Sequence, residues 1–132
     1  MKLSNSIEDI KQTATAMLEQ ADALGKLAEL DLPGRFVFSP PTGSRLCISS
    51  LDELHQARTV LREAFGWRDR MENKFFSCGT AIVTYAPNEE VKLPLPFQIW
   101  VEASPETFPK ELLGDCKIVK YEREDYSIVC AV

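Results

Sequence analysis

The sequence predicts a single α+β domain, in which a long N-terminal helix and a second helix pack on one face of a mostly antiparallel sheet of about five or six strands. The chain has 132 residues, 45% of them hydrophobic, which is enough for one core and too few for two ordinary domains. Helix-like and strand-like patterns follow in the order helix, hairpin, helix, strand, strand, short helix, hairpin. From residue 36 onward this order is also compatible with a ferredoxin-like βαββαβ core. We therefore divide the domain into a helical segment, 1–33, and a sheet-containing core, 34–132.

The first helix is predicted over residues 6–30, with Ser6 as its N-cap and acidic residues in its first turn. Its apolar residues recur at alternating steps of three and four, a period of about 3.5 that is typical of a coiled coil. The pattern lasts about three heptads, and Leu18 and Leu27 widen it towards the stripe of a globular helix. The stripe therefore packs on the domain's own sheet or pairs with a second copy of the chain. Its members are Ile7, Ile10, Ala14, Met17, Ala21, Leu24 and Ala28.

A hairpin and a second helix are predicted next. Residues 36–38 and 46–48 are prone to form strands and flank the turn residues Pro40, Pro41 and Gly43. Ser50 and Glu53 have the spacing of a capping box, and Gly66 marks the end of the helix that they open. This helix should bury its apolar face, which consists of Leu51, Leu54, Ala57, Leu61, Ala64 and Phe65.

The second half of the chain predicts four further elements. Residues 67–74 are polar and indicate a loop, and residues 75–85 indicate a strand with a kink at Gly79. The next strand should begin at Phe97, because two prolines precede it, and Phe97, Ile99 and Val101 should share one face. A short helix or two linked turns follow up to Gly114, and the last two strands form a hairpin through a charged turn at residues 122–126.

Composition and charge limit the classes of function. The net charge of -5 and the pI near 4.9 argue against direct nucleic-acid binding, which requires a basic surface. No window has the length and apolarity of a membrane span, and the N-terminal residues lack the apolar core of a secretion signal. We therefore expect a cytoplasmic protein that binds neither nucleic acid nor membrane.

The sequence predicts no catalytic, cofactor-binding or metal-binding residues. The four cysteines have no metal-ligand spacing, since the nearest pair, Cys116 and Cys130, is fourteen residues apart. We expect all four to be reduced thiols buried in strands. Cys78 beside a glycine could act as a nucleophile, but His55, the only histidine, is predicted to lie on a solvated helix face. Phosphate-binding glycine loops are absent.

Trp67 is a candidate binding residue. Arginines flank it in a predicted loop, and Trp and Arg are enriched at binding hot spots. Alternatively, Trp67 folds back over the end of the second helix and closes the core. We interpret the chain as a small non-catalytic protein-interaction or regulatory module that binds protein partners and self-associates. One version of this hypothesis is an acidic inhibitor or immunity-type protein. The alternative is a small-ligand-binding protein or small enzyme with a pocket between sheet and helices. The predicted contact residues are Trp67, Arg68 and Arg70 with Ile7, Ile10, Ala14, Met17, Ala21 and Leu24.

Overall fold

The computed structural model describes residues 3–39, 43–120 and 126–131. Its helices are α1 (Leu3–Ala28), α2 (Leu51–Phe65) and a short 3-10 helix (Lys110–Leu113). The strands are β1 (Arg35–Val37), β2 (Arg45–Ile48), β3 (Asp69–Ser77), β4 (Thr80–Pro87), β5 (Gln98–Ala103), β6 (Cys116–Lys120) and β7 (Tyr126–Cys130). Pro40, Pro41 and residues 122–125 of the two predicted turns lie outside the described part of the chain.

The main sheet has five strands in the order β1-β2-β5-β4-β3, and β6 pairs with β7 in a separate two-stranded sheet. All neighbours are antiparallel except β2 and β5, which run parallel with Arg45 opposite Gln98. The α+β class and the mostly antiparallel sheet are confirmed. The ferredoxin-like alternative is wrong, because β3, β4 and β5 follow one another directly without the helix that a βαββαβ core requires.

Helix α2 covers one face of the main sheet, as its local sequence predicts. The Ser50 hydroxyl accepts a hydrogen bond from the backbone N–H of Glu53 at 3.2 Å, and Gly66 ends the helix in the left-handed conformation. Its side chains Leu54, Ala57 and Leu61 are buried in the same cluster as the alternate residues of β4 and β5. The predicted alternation of β5 is confirmed by the burial of Phe97, Ile99 and Val101.

The side chains of helix α1 that the structure describes in this core all belong to its last turns. Ala23 and Leu27 are buried in the core cluster, and Leu24 and Leu30 pack against it. Between residues 7 and 19, every side chain that the structure describes is exposed. The helix also begins at Leu3, so the prediction of Ser6 as N-cap is wrong. The expectation that the whole helix packs on the sheet is likewise not met.

A hairpin replaces the predicted loop and kinked strand between residues 67 and 85. Strands β3 and β4 pair along their whole length, with one irregularity between Met71 and Asn73. Their turn consists of Cys78 and Gly79, which have φ angles of 52° and 79°. Positive φ at both central residues is the conformation of a type I′ turn. The sequence did not predict this hairpin, because cysteine rarely occupies this turn position. In addition, β3 is an edge strand, and most of its residues are polar and exposed.

Trp67 lies in the core, with only 2% of its surface exposed. Its ring stacks on Phe97 at a centroid distance of 5.4 Å, and its indole N–H donates to the Asp69 carboxylate at 2.6 Å. Two nitrogens of Arg58 donate to the same carboxylate at 3.0 and 2.9 Å. The prediction of Trp67 as an exposed contact residue is therefore wrong, and the alternative, in which it closes the core at the end of α2, describes the structure.

The prediction that all cysteines are reduced is also wrong. A disulfide joins Cys116 to Cys130, which face each other at the open ends of β6 and β7. Their spacing of fourteen residues suits the two ends of a hairpin, whereas reduced thiols were predicted from the absence of a secretion signal. Of the other two cysteines, Cys47 is buried and Cys78 is exposed.

Replacing Asp69 by asparagine should destabilise the fold by about 2 to 4 kcal/mol, because it leaves the Arg58 guanidinium partly buried without a counter-charge. Urea unfolding measures the change in the free energy of unfolding. The matched control is Glu72→Gln, which removes a carboxylate from the exposed Arg70 pair on the same strand and should cost less than about 0.5 kcal/mol. Equal losses in the two variants would contradict the importance of the buried network.

The Cys78→Asn variant should raise the free energy of unfolding by about 0.5 to 1 kcal/mol, since asparagine tolerates positive φ better than cysteine in a type I′ turn. Gly79→Ala should lower it by at least about 1 kcal/mol for the opposite reason. Thermal unfolding of both variants checks the turn assignment. A stabilised Gly79→Ala protein would be inconsistent with it.

Candidate interaction surface

Exposed apolar side chains are concentrated on α1. In the described part of the chain, the large hydrophobic residues that stand exposed are Ile7, Ile10, Leu18, Met71 and Val129. Ile7, Ile10 and Leu18 belong to α1 and have exposed fractions of 45%, 67% and 71%. Single exposed apolar residues are common on protein surfaces, but a row of them along one helix indicates a contact surface.

We call the predicted stripe on α1 the seam, consisting of Ile7, Ile10, Ala14, Met17, Ala21, Leu24 and Ala28. At about 100° per residue, the mean direction of the seam differs by about 130° from that of Ala23 and Leu27, which contact the core. Of the seam members whose side chains the structure describes, Leu24 alone contributes to both, and it is half-buried against the core. The domain's own core therefore leaves the other described seam members uncovered, which are Ile7, Ile10, Ala14 and Ala28.

The structure brings only some of the predicted contact residues into this surface. Ile7, Ile10 and Ala14 are exposed on α1, whereas the side chains of Met17 and Ala21 lie outside the described part of the chain. Among the described residues, Leu18 is the most exposed large apolar one, and its spacing predicts only a widening of the stripe. Its position beside the strict seam explains why it was not among the predicted contacts.

Charge is almost absent from the borders of the seam. In a heptad that begins at Ile7, the bordering positions e and g within 11–27 hold Lys11, Thr13, Leu18, Gln20, Gly25 and Leu27. Lys11 is the one charged residue among them. The acidic residues of α1 occupy positions b, c and f on the outer side, and they are Glu8, Asp9, Glu19 and Asp22. A second seam can therefore approach without facing like charges across the contact.

The remaining predicted contact residues, Arg68 and Arg70, do not belong to α1. They lie at the start of β3, on either side of Asp69. Both are exposed, and Arg70 lies 3.9 Å from Glu72 and donates to the Pro87 carbonyl oxygen at 3.4 Å. Arg68 lines an open surface cavity of about 490 Å³ together with Arg58, Arg62, Trp67 and Asp69. Asp69 already pairs with Arg58, so this cavity contains a carboxylate among its arginines.

The residues considered for catalysis are not assembled into a site. Cys78 is exposed at the β3–β4 turn, and His55 is exposed on α2. No hydrogen bond among the described residues connects them. Burial, followed by the neighbouring Glu102 carboxylate, raises the pKa of the Cys47 thiol, which disfavours the reactive thiolate there. Across the described ranges, no three His, Cys, Asp or Glu side chains lie close enough together to hold a metal ion.

Comparison of the chain with known protein families, curated proteins and solved structures finds no match. The class that the structure defines is thus a small α+β domain. Among the described residues, no helix has the length and apolarity needed to cross a membrane.

Alkylation of the native protein with iodoacetamide should modify Cys78 at least about tenfold faster than Cys47, because Cys47 is buried and its pKa is raised. Peptide mass spectrometry at successive times measures both rates, and a sample unfolded in guanidinium supplies the control in which the two thiols should react similarly. Comparable native rates would contradict the burial of Cys47.

Proposed function

We propose that the protein is a non-catalytic protein-interaction module that self-associates by pairing the seam of α1 with the seam of a second copy. The observation that carries this proposal is the direction of the seam, which faces away from the core that holds the end of the same helix. The nearly uncharged borders of the seam support it, because two copies can approach there without charge repulsion.

The physical stability of α1 also favours a partner. Helices gain most of their stability in proteins from packing an apolar face, and isolated helices are marginal in water. Among the α1 side chains that the structure describes, Ala23 is the first that packs on the domain. Burying an isoleucine completely contributes about 1.5 to 3 kcal/mol, so Ile7 and Ile10 from two copies stabilise a pair appreciably. The alanines of the seam contribute little area but allow the two backbones to approach closely.

The acidic outer side of α1 supports the second part of the proposal, which is binding of a basic protein surface. Glu8, Asp9, Glu19 and Asp22 remain exposed on that side, and a paired helix would present two such sets. This arrangement suits a regulatory or inhibitory role of the immunity type, in which an acidic protein blocks a basic partner. A cytoplasmic location belongs to the same proposal.

The alternative of a small-ligand-binding protein or small enzyme has less support. The described cavities lie at the surface, and the cavity with three arginines also holds the Asp69 carboxylate. Its positive charge is therefore partly neutralised by the protein itself. A thermal-shift screen against metabolites separates the two functions, because a ligand that binds only the folded state raises the melting temperature.

The Ile10→Asp variant should weaken self-association at least about tenfold, since it places a charge between the paired seams while leaving the monomer core unchanged. Sedimentation velocity over a series of protein concentrations measures the association, and circular dichroism follows the helix content of α1. Gln12→Asp is the matched control, because it adds the same charge at an exposed outer position of the same helix.

Two results would contradict the proposal. One is a wild-type protein that sediments as a monomer at every concentration up to the millimolar range. The other is an equal loss of association in Gln12→Asp and Ile10→Asp, which would assign the effect to net charge instead of to the seam.

A further inference from the structure

The disulfide of the C-terminal hairpin has two sulfurs in different environments. Cys130, the last residue of β7, is exposed, whereas Cys116, the first residue of β6, is half-buried. An open cavity of about 400 Å³ lies beside them, lined among others by Glu72, Lys74 and Asp115. A small molecule in this cavity can therefore reach the disulfide, and Cys130 is its more accessible end.

Lys74 places a positive charge next to one of the two sulfurs. Its ammonium group lies 3.1 Å from the Cys116 sulfur and donates a hydrogen bond to the Leu113 carbonyl oxygen at 2.7 Å. Lys74 belongs to β3 of the main sheet, so the contact crosses from one sheet to the other. The bond to Leu113 holds the ammonium in place, and that position favours negative charge on Cys116.

We propose that the Cys116–Cys130 disulfide is a thiol–disulfide exchange site, at which a low-molecular-weight thiol forms a mixed disulfide with Cys130. The incoming thiolate attacks the Cys130 sulfur, the bond between the two protein sulfurs breaks, and its electron pair leaves on Cys116 as a thiolate. A second molecule of the same thiol then attacks the mixed disulfide. This releases the oxidised dimer of the small thiol and leaves two reduced cysteines, so that two electrons enter the protein.

The direction of attack follows from the two environments. Exchange is faster when the leaving sulfur is stabilised as a thiolate and when the attacked sulfur is accessible. Lys74 provides the first condition at Cys116, and exposure provides the second at Cys130. Attack at Cys116 would instead require entry at the half-buried end and would release a thiolate at Cys130, away from the contact that the ammonium makes.

Reduction would change how the C-terminal hairpin is held. Tyr126 of β7 packs on Phe76 of β3 at a centroid distance of 5.2 Å, and Ile118 and Ile128 pack against the core. The disulfide fixes the opposite end of the same hairpin. A two-stranded sheet is marginally stable by itself, so breaking this covalent link allows its ends to separate. The redox state of the site thereby controls the order of the hairpin, independently of α1.

The test follows the reduction of the oxidised protein by reduced glutathione in a Cys78→Ser background, which removes the exposed free thiol. Excess iodoacetamide stops the reaction and caps the released thiolate, and peptide mass spectrometry locates the glutathione. We expect glutathione on Cys130 and the alkyl group on Cys116. Lys74→Met should slow reduction by about threefold to tenfold, since it removes the charge beside the leaving sulfur.

Lys117→Met is the matched control, because Lys117 is an exposed lysine in the same hairpin that does not line the cavity beside Lys74. Its reduction rate should stay within about twofold of the parent. Far-UV circular dichroism of the oxidised variants checks that the fold is retained. If Lys74→Met does not fold, the position of glutathione in the parent protein decides alone.

Several outcomes would overturn the proposal. These are glutathione found mainly on Cys116, equal reduction rates in folded Lys74→Met and Lys117→Met, or a protein that forms no disulfide even in fully oxidised glutathione. None of these outcomes changes the sedimentation of the Ile10→Asp variant, so failure here is distinguishable from failure of the self-association proposal.

Discussion

The carboxylate of Asp69 is the constraint on which the arrangement of helix and sheet depends. Its side chain is 7% exposed, and a buried charge is stable only when it is paired and hydrogen-bonded. Trp67 and Arg58 satisfy it, and the Arg58 guanidinium also lies over the Tyr85 ring at 4.8 Å. The pair of Asp69 and Arg58 thus connects α2 and the start of β3, and Arg58 also contacts β4 through the Tyr85 ring. Asp69 also holds the indole of Trp67 in the core.

In the other two parts of the fold, the described residues include no buried, charge-paired network of this kind. Helix α1 contacts the core through its final turns, and the C-terminal hairpin is joined to β3 by the Lys74 contact and the Tyr126 packing. The chain therefore combines a firmly packed centre with two peripheral elements. In the two proposals made above, an additional factor orders each peripheral element: pairing with another seam for α1, and the disulfide for the hairpin. The proposed functions lie in these elements because the centre is occupied with its own packing.

The sequence predicted the elements that are defined by patterns among neighbouring residues. The Ser50 and Gly66 caps defined α2, and the alternation from Phe97 defined β5, because both patterns depend on neighbouring residues. The environment of Trp67 could not be predicted, since Arg58 reaches Asp69 from a different element. Strand β3 was missed because an edge strand carries polar residues on its exposed positions. The seam was recognised from its spacing, but its direction relative to the core required the structure.

The parallel pairing of β2 with β5 has a consequence for the order of synthesis on the ribosome. Strand β2 leaves the exit tunnel before β5 and at first can pair only with β1. Its other edge stays unpaired until residues 98–101 of β5 have been synthesised. During this time, the complete sheet that covers the apolar face of α2 has not yet formed. The apolar face of α2, which includes Leu54 and Leu61, is therefore fully covered only after β5 has emerged and paired with β2 and β4.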